Sequence, residues 1–452
     1  MVEINLKDFG GKCNGNFDNT NSFKNAFEVI KKNGGGKLVV DEGIWKTGPI
    51  DLVDNSILEL REGAELSFIT DPGAYPPVFT RWEGVECHAM HALLRAADCK
   101  NVTVTGKGTL NGNGSDWWGI LKAKKAVGQD KPLATYELAL AKLNPGYENQ
   151  PGGGGGRNIQ FLRPCLVEFM NCQHVVFEGI NLKNSPFWTV HPLYTDDLII
   201  RDIKIENPYS GAPNTDGIDV DSCSNVQILN CSVSVGDDGI CLKSGSGADG
   251  IRVNRPTVNV TIKDCKVRFA HGGIVFGSET AAGIQHIKAE NCDLSGTDRG
   301  IRIKSRRGRG GDLYDIELKN LVMDDTLCPI AINMYYKCGI NDITSPLFSL
   351  EKQPVTGETP RIHDVKIIGC QGKNCRASAG FIVGLPEMPI DNLEIRDCYF
   401  TTDETSQRSP MESDMFYGLP EVDVKSFRIR NAPGAKFENV TIDGPKETFI
   451  YE

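Results

Sequence analysis

Three aspartates, Asp216, Asp237 and Asp238, lie in one short stretch of the chain, followed by Lys243, His271, Arg302 and Lys304. If the fold brings the carboxylates close, cations or a bound proton must relieve their repulsion, and at least one pKa should rise. Two carboxyls with separated pKa values give a protein a general acid and a general base at neutral pH. The competing reading is an acidic ladder of turn residues, because aspartate is common in turns. That reading gives His271, Arg302 and Lys304 no reason to share the patch. Acid–base chemistry beside cations able to hold an anionic substrate is therefore the stronger expectation.

A repeat would bring these residues together. From about residue 100 one phrase recurs: apolar, any, apolar, any, then Asn, Asp or Gly. It reads Val102-Val104-Gly106, Val175-Phe177-Gly179, Leu198-Ile200-Asp202, Val226-Ile228-Asn230, Val260-Ile262-Asp264, Ile287-Ala289-Asn291, Ile316-Leu318-Asn320, Val365-Ile367-Gly369, Leu393-Ile395-Asp397 and Phe427-Ile429-Asn431. Alternation with period two marks short strands, and the final residue marks a turn that tolerates left-handed backbone. Apart from gaps of 73 and 49, the turn residues recur every 23 to 34 residues. Such a unit matches one coil of a parallel β-helix, in which each coil stacks on the last. A sandwich of hairpins is disfavoured, since Asn-Gly between alternating runs is scarce.

A second phrase, Gly-Ile-any-apolar-any-Ser, occupies four consecutive coils as 217–222, 239–244, 273–278 and 300–305. With the apolar residues inward, the two variable positions face out and stack in columns about 4.8 Å apart per coil. One column then reads Asp219, Cys241, Val275, Arg302, and its neighbour reads Asp221, Lys243, Gly277, Lys304. Extending the register one coil back, over 187–191, puts His191 in the second column. The residue ahead of each Gly gives Asp216, Asp238, Gly272, Arg299, and the one before that gives Thr215, Asp237, His271, Asp298.

The N-terminal 60 residues read as a cap and first coils. Asn21 or Ser22 can cap a helix that carries Phe23, Ala26, Phe27 and Ile30 on one face and stops at Gly34. It would cover the open end of the stack. The gap between Gly106 and Gly179 holds an inserted lobe over 112–160, with a helix-like stretch around Tyr136–Leu143 and a glycine run, Gly152–Gly156. The whole of 1–452 reads as one β-helix domain. Cys231, Cys265, Cys292, Cys370 and Cys398 each follow a turn residue and should stack inward as small apolar thiols.

Composition narrows the function classes. With 49 Lys+Arg against 59 Asp+Glu the net charge is −10, which argues against nucleic acid or an anionic membrane as the main partner. A 40% hydrophobic fraction excludes wholesale disorder, and no apolar run approaches the ~20 residues that span a bilayer. Fifteen cysteines without CxxC pairs fit neither a disulfide framework nor a zinc cluster. The start, MVEINLKDFGG, lacks the marks of a secretory signal. The expectation is a cytoplasmic protein with reduced thiols, or a secreted one only if a leader has been removed.

Asn214-Thr215-Asp216, Gly236-Asp237-Asp238, His271-Gly272 and Arg302-Ile303-Lys304, in this order on repeat coils, resemble the polygalacturonases of glycoside hydrolase family 28. The resemblance covers nearly the whole chain, from Asp8-Phe9-Gly10 and Gly34-Gly35-Gly36 onward, although Ala270 stands where many relatives have Gly. It implies an all-β, right-handed, single-stranded parallel β-helix with a short N-terminal capping helix, hydrolysing α-1,4-linked galacturonate with inversion. It also implies Asp237 as the general acid, Asp216 and Asp238 as the pair that activates water, and His271 as support for the acid. Arg302 and Lys304 would bind the substrate carboxylate, with Asn214 and Tyr336 as further substrate-binding residues; Tyr335 competes with Tyr336 for the last place. Inversion requires about 6.5 to 9.5 Å between the acid and base carboxyls, and paired carboxylates need no cofactor or metal.

The insertion after Gly106, with Thr80-Arg81-Trp82-Glu83-Gly84, resembles bacterial exo-acting members, in which a lobe could close one end of the groove. The expected activity is exo-polygalacturonase action from the non-reducing end of galacturonate-containing oligo- or polysaccharides. Three alternatives stay open at this level: a rhamnogalacturonan hydrolase of the same family, a calcium-dependent pectate lyase and a non-catalytic carbohydrate-binding β-helix. Arg306-Arg307-Gly308-Arg309 reads first as a solvated basic turn and second as a cationic rim for uronate carboxylates. Trp117 and Trp118 divide evenly between stacking on sugar and packing the lobe. Glu279 and His191 face outward without reading as substrate ligands.

Overall fold

A computed structural model describes residues 2–149 and 160–452; the glycine run Gly152–Gly156 lies outside the described residues. The fold is a right-handed parallel β-helix, 13% helical. Its contacts define two compact units, Met1–Trp82 with Glu86–Asp237, and Glu83–Val85 with Asp238–Glu452.

In each unit the first recurring phrase builds a sheet of parallel strands ending in the turn. In the first unit Val102, Val175, Leu198 and Val226 stand opposite one another in succession. In the second, Val260, Ile287, Ile316, Val365 and Leu393 do the same. All ten turn residues have φ between 48 and 116°, the left-handed region expected of them. Their side chains ladder across coils, with Asn230 Nδ2 donating to Asp202 Oδ1 at 2.6 Å and Asn320 Nδ2 to Asn291 Oδ1 at 3.2 Å. One phrase departs from the others. Phe427 and Ile429 pair with Gly380 and Ile382 in the other long sheet, while Lys436–Asp443 continues the turn sheet. Alternation identifies a strand but not which side of the coil it occupies.

The interior between the sheets is apolar. Val104, Phe177, Ile200 and Ile228 are fully buried, each contributing roughly 1.5–3 kcal/mol relative to exposure. Thirteen of the fifteen cysteines are buried too. Cys265 faces Cys292, and Cys370 faces Cys398, on neighbouring coils, as expected of an inward stack.

The second phrase builds the sheet that carries the candidate site residues. In the second unit the columns run as expected, with Cys241 opposite Val275 and Val275 opposite Arg302, and Gly277 opposite Lys304. In the first unit the register differs by two residues. Val190 pairs with Ile218 and Leu193 with Asp221, so His191 falls in the column of Asp219, not in the second column. A two-residue slip leaves every side chain on the same face, so the inward–outward pattern alone does not detect it.

The cap helix spans Thr20–Lys32 and buries Phe23, Ala26, Phe27 and Ile30 as expected. Its N-cap is Asn19 rather than Asn21 or Ser22. Asn19 is buried and ties loop to strand, donating to Lys12 O, Phe17 O and Lys46 O, while Asp18 Oδ1 accepts from Thr20 N. The inserted lobe contains the expected helix, Thr135–Leu143, and a second, Gly114–Ala126, that the sequence pattern did not reveal. Trp117 is fully buried at 5.5 Å from Tyr75, and Trp118 Nε1 donates to Ser185 O. Both tryptophans therefore pack the lobe.

Candidate active site

In the second unit, the pleat of strand Arg299–Lys304 turns Ile301 and Ile303 inward and Arg302 and Lys304 outward. Both cations are nonetheless buried, converging on Asp238 at the start of strand Asp238–Lys243. Arg302 Nη1 donates to Asp238 Oδ1 at 3.2 Å and Lys304 Nζ to Oδ2 at 2.5 Å. Burial opposes the charge of Asp238, but Lys304, Arg302 and Lys243 outweigh it and hold the carboxyl well below the usual carboxylate range. The like-charge argument from sequence expects a raised carboxyl; at Asp238 three cations reverse the sign.

Asp414 carries no signal in the sequence, because it lies in a segment outside the repeats. It is buried, and its Oδ1 accepts from Arg302 Nε at 3.2 Å and Nη2 at 2.7 Å, while Oδ2 accepts from Asn333 Nδ2 at 3.0 Å. Arg302 is thus held between two carboxylates. Tyr336 lies against the same cations, its ring centroid 5.4 Å from the Arg302 guanidinium and 5.2 Å from Lys304 Nζ. Tyr335 turns the other way, donating its hydroxyl to Ser349 O and packing on Arg307. The geometry therefore groups Tyr336, rather than Tyr335, with Arg302 and Lys304. His271 is half-exposed, and its Nδ1 lies 2.8 Å from Asp298 Oδ2, a contact that orients the ring.

The basic turn is not solvated: Arg306, Arg307 and Arg309 are all buried. Arg307 pairs with Glu387 and donates to Leu347 O and Ser349 O, so it holds down the loop that covers it. Arg309 Nη1 donates to Ser246 Oγ at 2.6 Å. Lys243 donates to Glu279 at 3.1 Å, and against the cost of burial Lys243 and Arg309 hold Glu279 at about 2. Residues Glu83–Val85 lie on this surface; Gly84, at φ +81°, would bring a Cβ to 2.6 Å from Glu279 Cγ and 2.7 Å from Ser246 Cβ. No larger residue fits there.

In the first unit Asp216 is buried and Asp237 half-buried. Asn214 sits in left-handed backbone at φ 58°. Its orientation is set by Arg163, a buried residue that sequence reasoning missed. Arg163 Nη2 donates to Asn214 Oδ1 at 2.8 Å, and Nη1 donates to Pro186 O and Pro213 O. A guanidinium has only donors, so it selects the amide oxygen and turns the NH₂ of Asn214 away. Arg163 is fixed in turn by Phe187, 5.2 Å from its guanidinium, and Phe187 stacks on Trp82 at 4.6 Å.

His191 is fully buried within an ionic cluster. Its ring nitrogens lie 3.7 Å from Glu168 and 3.6 Å from Asp221. Arg81 Nη1 donates to Asp221 at 2.7 Å, Arg95 Nε to Glu168 at 2.7 Å, and Thr80 Oγ1 to Glu168 at 2.5 Å. Burial opposes both carboxylates, but these partners hold Glu168 and Asp221 at about 2. The His191 pKa is raised well above its ordinary value, because Asp221, Cys165 and Glu168 outweigh burial. The cluster pins Thr80 and Arg81 to the strands of the first unit.

Residues 154–379 match the glycosyl hydrolases family 28, and the chain belongs to that family. A probable polygalacturonase of Vitis vinifera is 31% identical over 328 residues, 70% of this chain and 60% of that protein. An exo-poly-alpha-D-galacturonosidase of Dickeya chrysanthemi is 26% identical over 336 residues, 71% of this chain and 55% of that one. The chain therefore spans less than two thirds of the length of these two curated relatives. The crystal structure of a hyperthermoactive exopolygalacturonase from Thermotoga maritima superposes with a TM-score of 0.79 at 31% identity, covering 98% of this chain and 93% of that one.

Proposed function

We propose that the chain hydrolyses α-1,4-galacturonosyl linkages of pectin-derived galacturonides, from the non-reducing end and with inversion. The observation that carries the reading is the buried set of Asp238, Arg302, Lys304 and Tyr336 in a family 28 chain. Arg302 and Lys304 carry N–H donors beyond those given to Asp238 and Asp414, and such donors on two clustered cations suit a uronate carboxylate. The exo assignment is supported by likeness to relatives named as exo-acting.

In the reaction, Asp237 gives its proton to the glycosidic oxygen as the bond to C1 breaks. Asp216 and Asp238 take the proton of a water that attacks C1 from the opposite face, so the new anomeric hydroxyl has inverted configuration. Asp238 is held ionised by its cations, which suits an acceptor and not the acid. Arg302 and Lys304 hold the substrate carboxylate, Tyr336 packs against them, and Asn214 offers its NH₂ to a sugar oxygen. His271, oriented by Asp298, supports the protonated acid.

The test is reducing-sugar release from polygalacturonate in the presence of a calcium chelator. Release without the ultraviolet absorbance of an unsaturated uronide is expected. Chelator-sensitive release with that absorbance would identify a lyase, and no release from galacturonides of any length would remove the proposal.

A further inference from the structure

We infer that Arg306 is a second carboxylate-binding group of this site, taking the acid group of the galacturonate that adjoins the one held by Arg302 and Lys304. The inference rests on the galacturonan reading above and adds a residue that selects the neighbouring sugar.

Arg302 and Lys304 share the outward face of the strand, and Arg306 follows two residues on, in the segment that leaves it. Every other cation of this group has a carboxylate. Arg302 has Asp238 and Asp414, Lys304 has Asp238, Lys243 has Glu279, and Arg307 has Glu387. Arg309 lies 3.9 Å from Glu279. Among the described residues no carboxylate lies within ion-pair distance of Arg306. Its Nη1 donates to Arg307 O at 3.3 Å, and its Nε has no hydrogen-bond partner. Yet the residue is only 6% exposed.

A buried guanidinium without an anion is costly. Burial and the neighbouring Arg309 push the Arg306 pKa down to about 10, and Glu279, beyond ion-pair distance, offsets them only in part. A carboxylate would relieve that cost, since the planar fork of Arg matches it in two parallel hydrogen bonds. Tyr336, which lies against Arg302 and Lys304, donates its backbone N–H to Ser305 O at 3.2 Å, and Arg306 bridges Tyr335, so the backbone places Arg306 beside the same tyrosine. In homogalacturonan the adjoining sugar always carries a carboxylate; where uronate alternates with a neutral sugar, it does not. Arg306 therefore favours a run of consecutive uronates over an alternating backbone.

The experiment measures kcat and KM of the wild type and of Arg306→Gln on trigalacturonate and on its singly methyl-esterified forms, one position at a time. On the free acid R306Q should raise KM about 10- to 100-fold, the loss of one charged hydrogen-bonding pair, with kcat changed little. Esterification at one particular position should weaken wild-type binding by a similar factor and abolish the difference between wild type and R306Q. Equal losses by R306Q on every substrate, or none on any, would overturn the inference. Should R306Q not fold, the wild type alone decides: indifference to esterification at every position adjoining the cleaved residue overturns it. A wild type that cleaves none of these substrates removes the galacturonan reading instead.

Discussion

Asp414 offers a sharp test of how the cationic part of the site is held. Its carboxylate accepts two hydrogen bonds from Arg302 and one from Asn333, and it is fully buried. Asp414→Ala orphans those donors and deprives Arg302 of one of its two carboxylates. Breaking a buried pair costs about 3–5 kcal/mol. Asp414→Asn keeps an acceptor for Arg302 but turns charge-assisted bonds into neutral ones of about half the strength, a loss of roughly 1–3 kcal/mol. An unfolding entropy of about 2.1 cal/mol/K per residue makes one degree of Tm worth about 1 kcal/mol for a chain this long. Calorimetry should therefore show Tm lowered by about 3–5 °C in D414A and by about 1–3 °C in D414N. Because Arg302 also loses its second anchor, KM for a galacturonide should rise in the same order, more in D414A than in D414N. Wild-type Tm and KM in D414A, or a larger loss in D414N than in D414A, would show that Asp414 does not anchor Arg302.

Other expectations concern the carboxylates and the buried ionic cluster. Asp237→Asn should lower turnover by several orders of magnitude with unchanged circular dichroism, and near-normal turnover would contradict its role as the acid. His191 has a raised folded-state pKa, so its contribution to stability is complete below its unfolded value of about 6.5 and fades as pH rises through the higher folded value. His191→Gln should consequently lower Tm most at pH 5–6 and progressively less at alkaline pH. Glu168 and Asp221, depressed to about 2, act in the opposite sense. Their stabilisation is present above pH ~4 and is lost as pH falls toward 2, so acid denaturation should begin at higher pH in Glu168→Gln than in the wild type.

Much of this architecture is legible in the sequence, because a β-helix repeats its instructions. Each coil must place an apolar residue inward at every second position and a left-handed residue at the same turn, and all ten chosen turn residues adopt that conformation. In the second unit the columns of Cys241, Val275 and Arg302, and of Gly277 and Lys304, follow from the same periodicity. Periodicity fails where its symmetry hides the answer. A slip of two residues moved His191 between columns without changing its face, and the phrase at Phe427 obeyed the alternation in a different sheet. Residues contributed from outside the repeats carry no periodic signal. Asp414 reaches Arg302 across 112 residues of sequence, and Arg163 reaches Asn214 across 51. The burial of Arg306, Arg307 and Arg309 depends on loops covering the turn, so composition suggested solvent where the fold supplies Glu387, Ser246 and backbone carbonyls.

Hydrolysis of galacturonan from a chain end with inversion can be followed in one time course of products from polygalacturonate, resolved by chromatography and by NMR at the anomeric carbon. Monomer or dimer is expected from the first minutes, with no intermediate oligomers and with a new anomeric hydroxyl that first appears in the β configuration. Long and intermediate oligomers preceding any small product, or an α-configured first product, would contradict it.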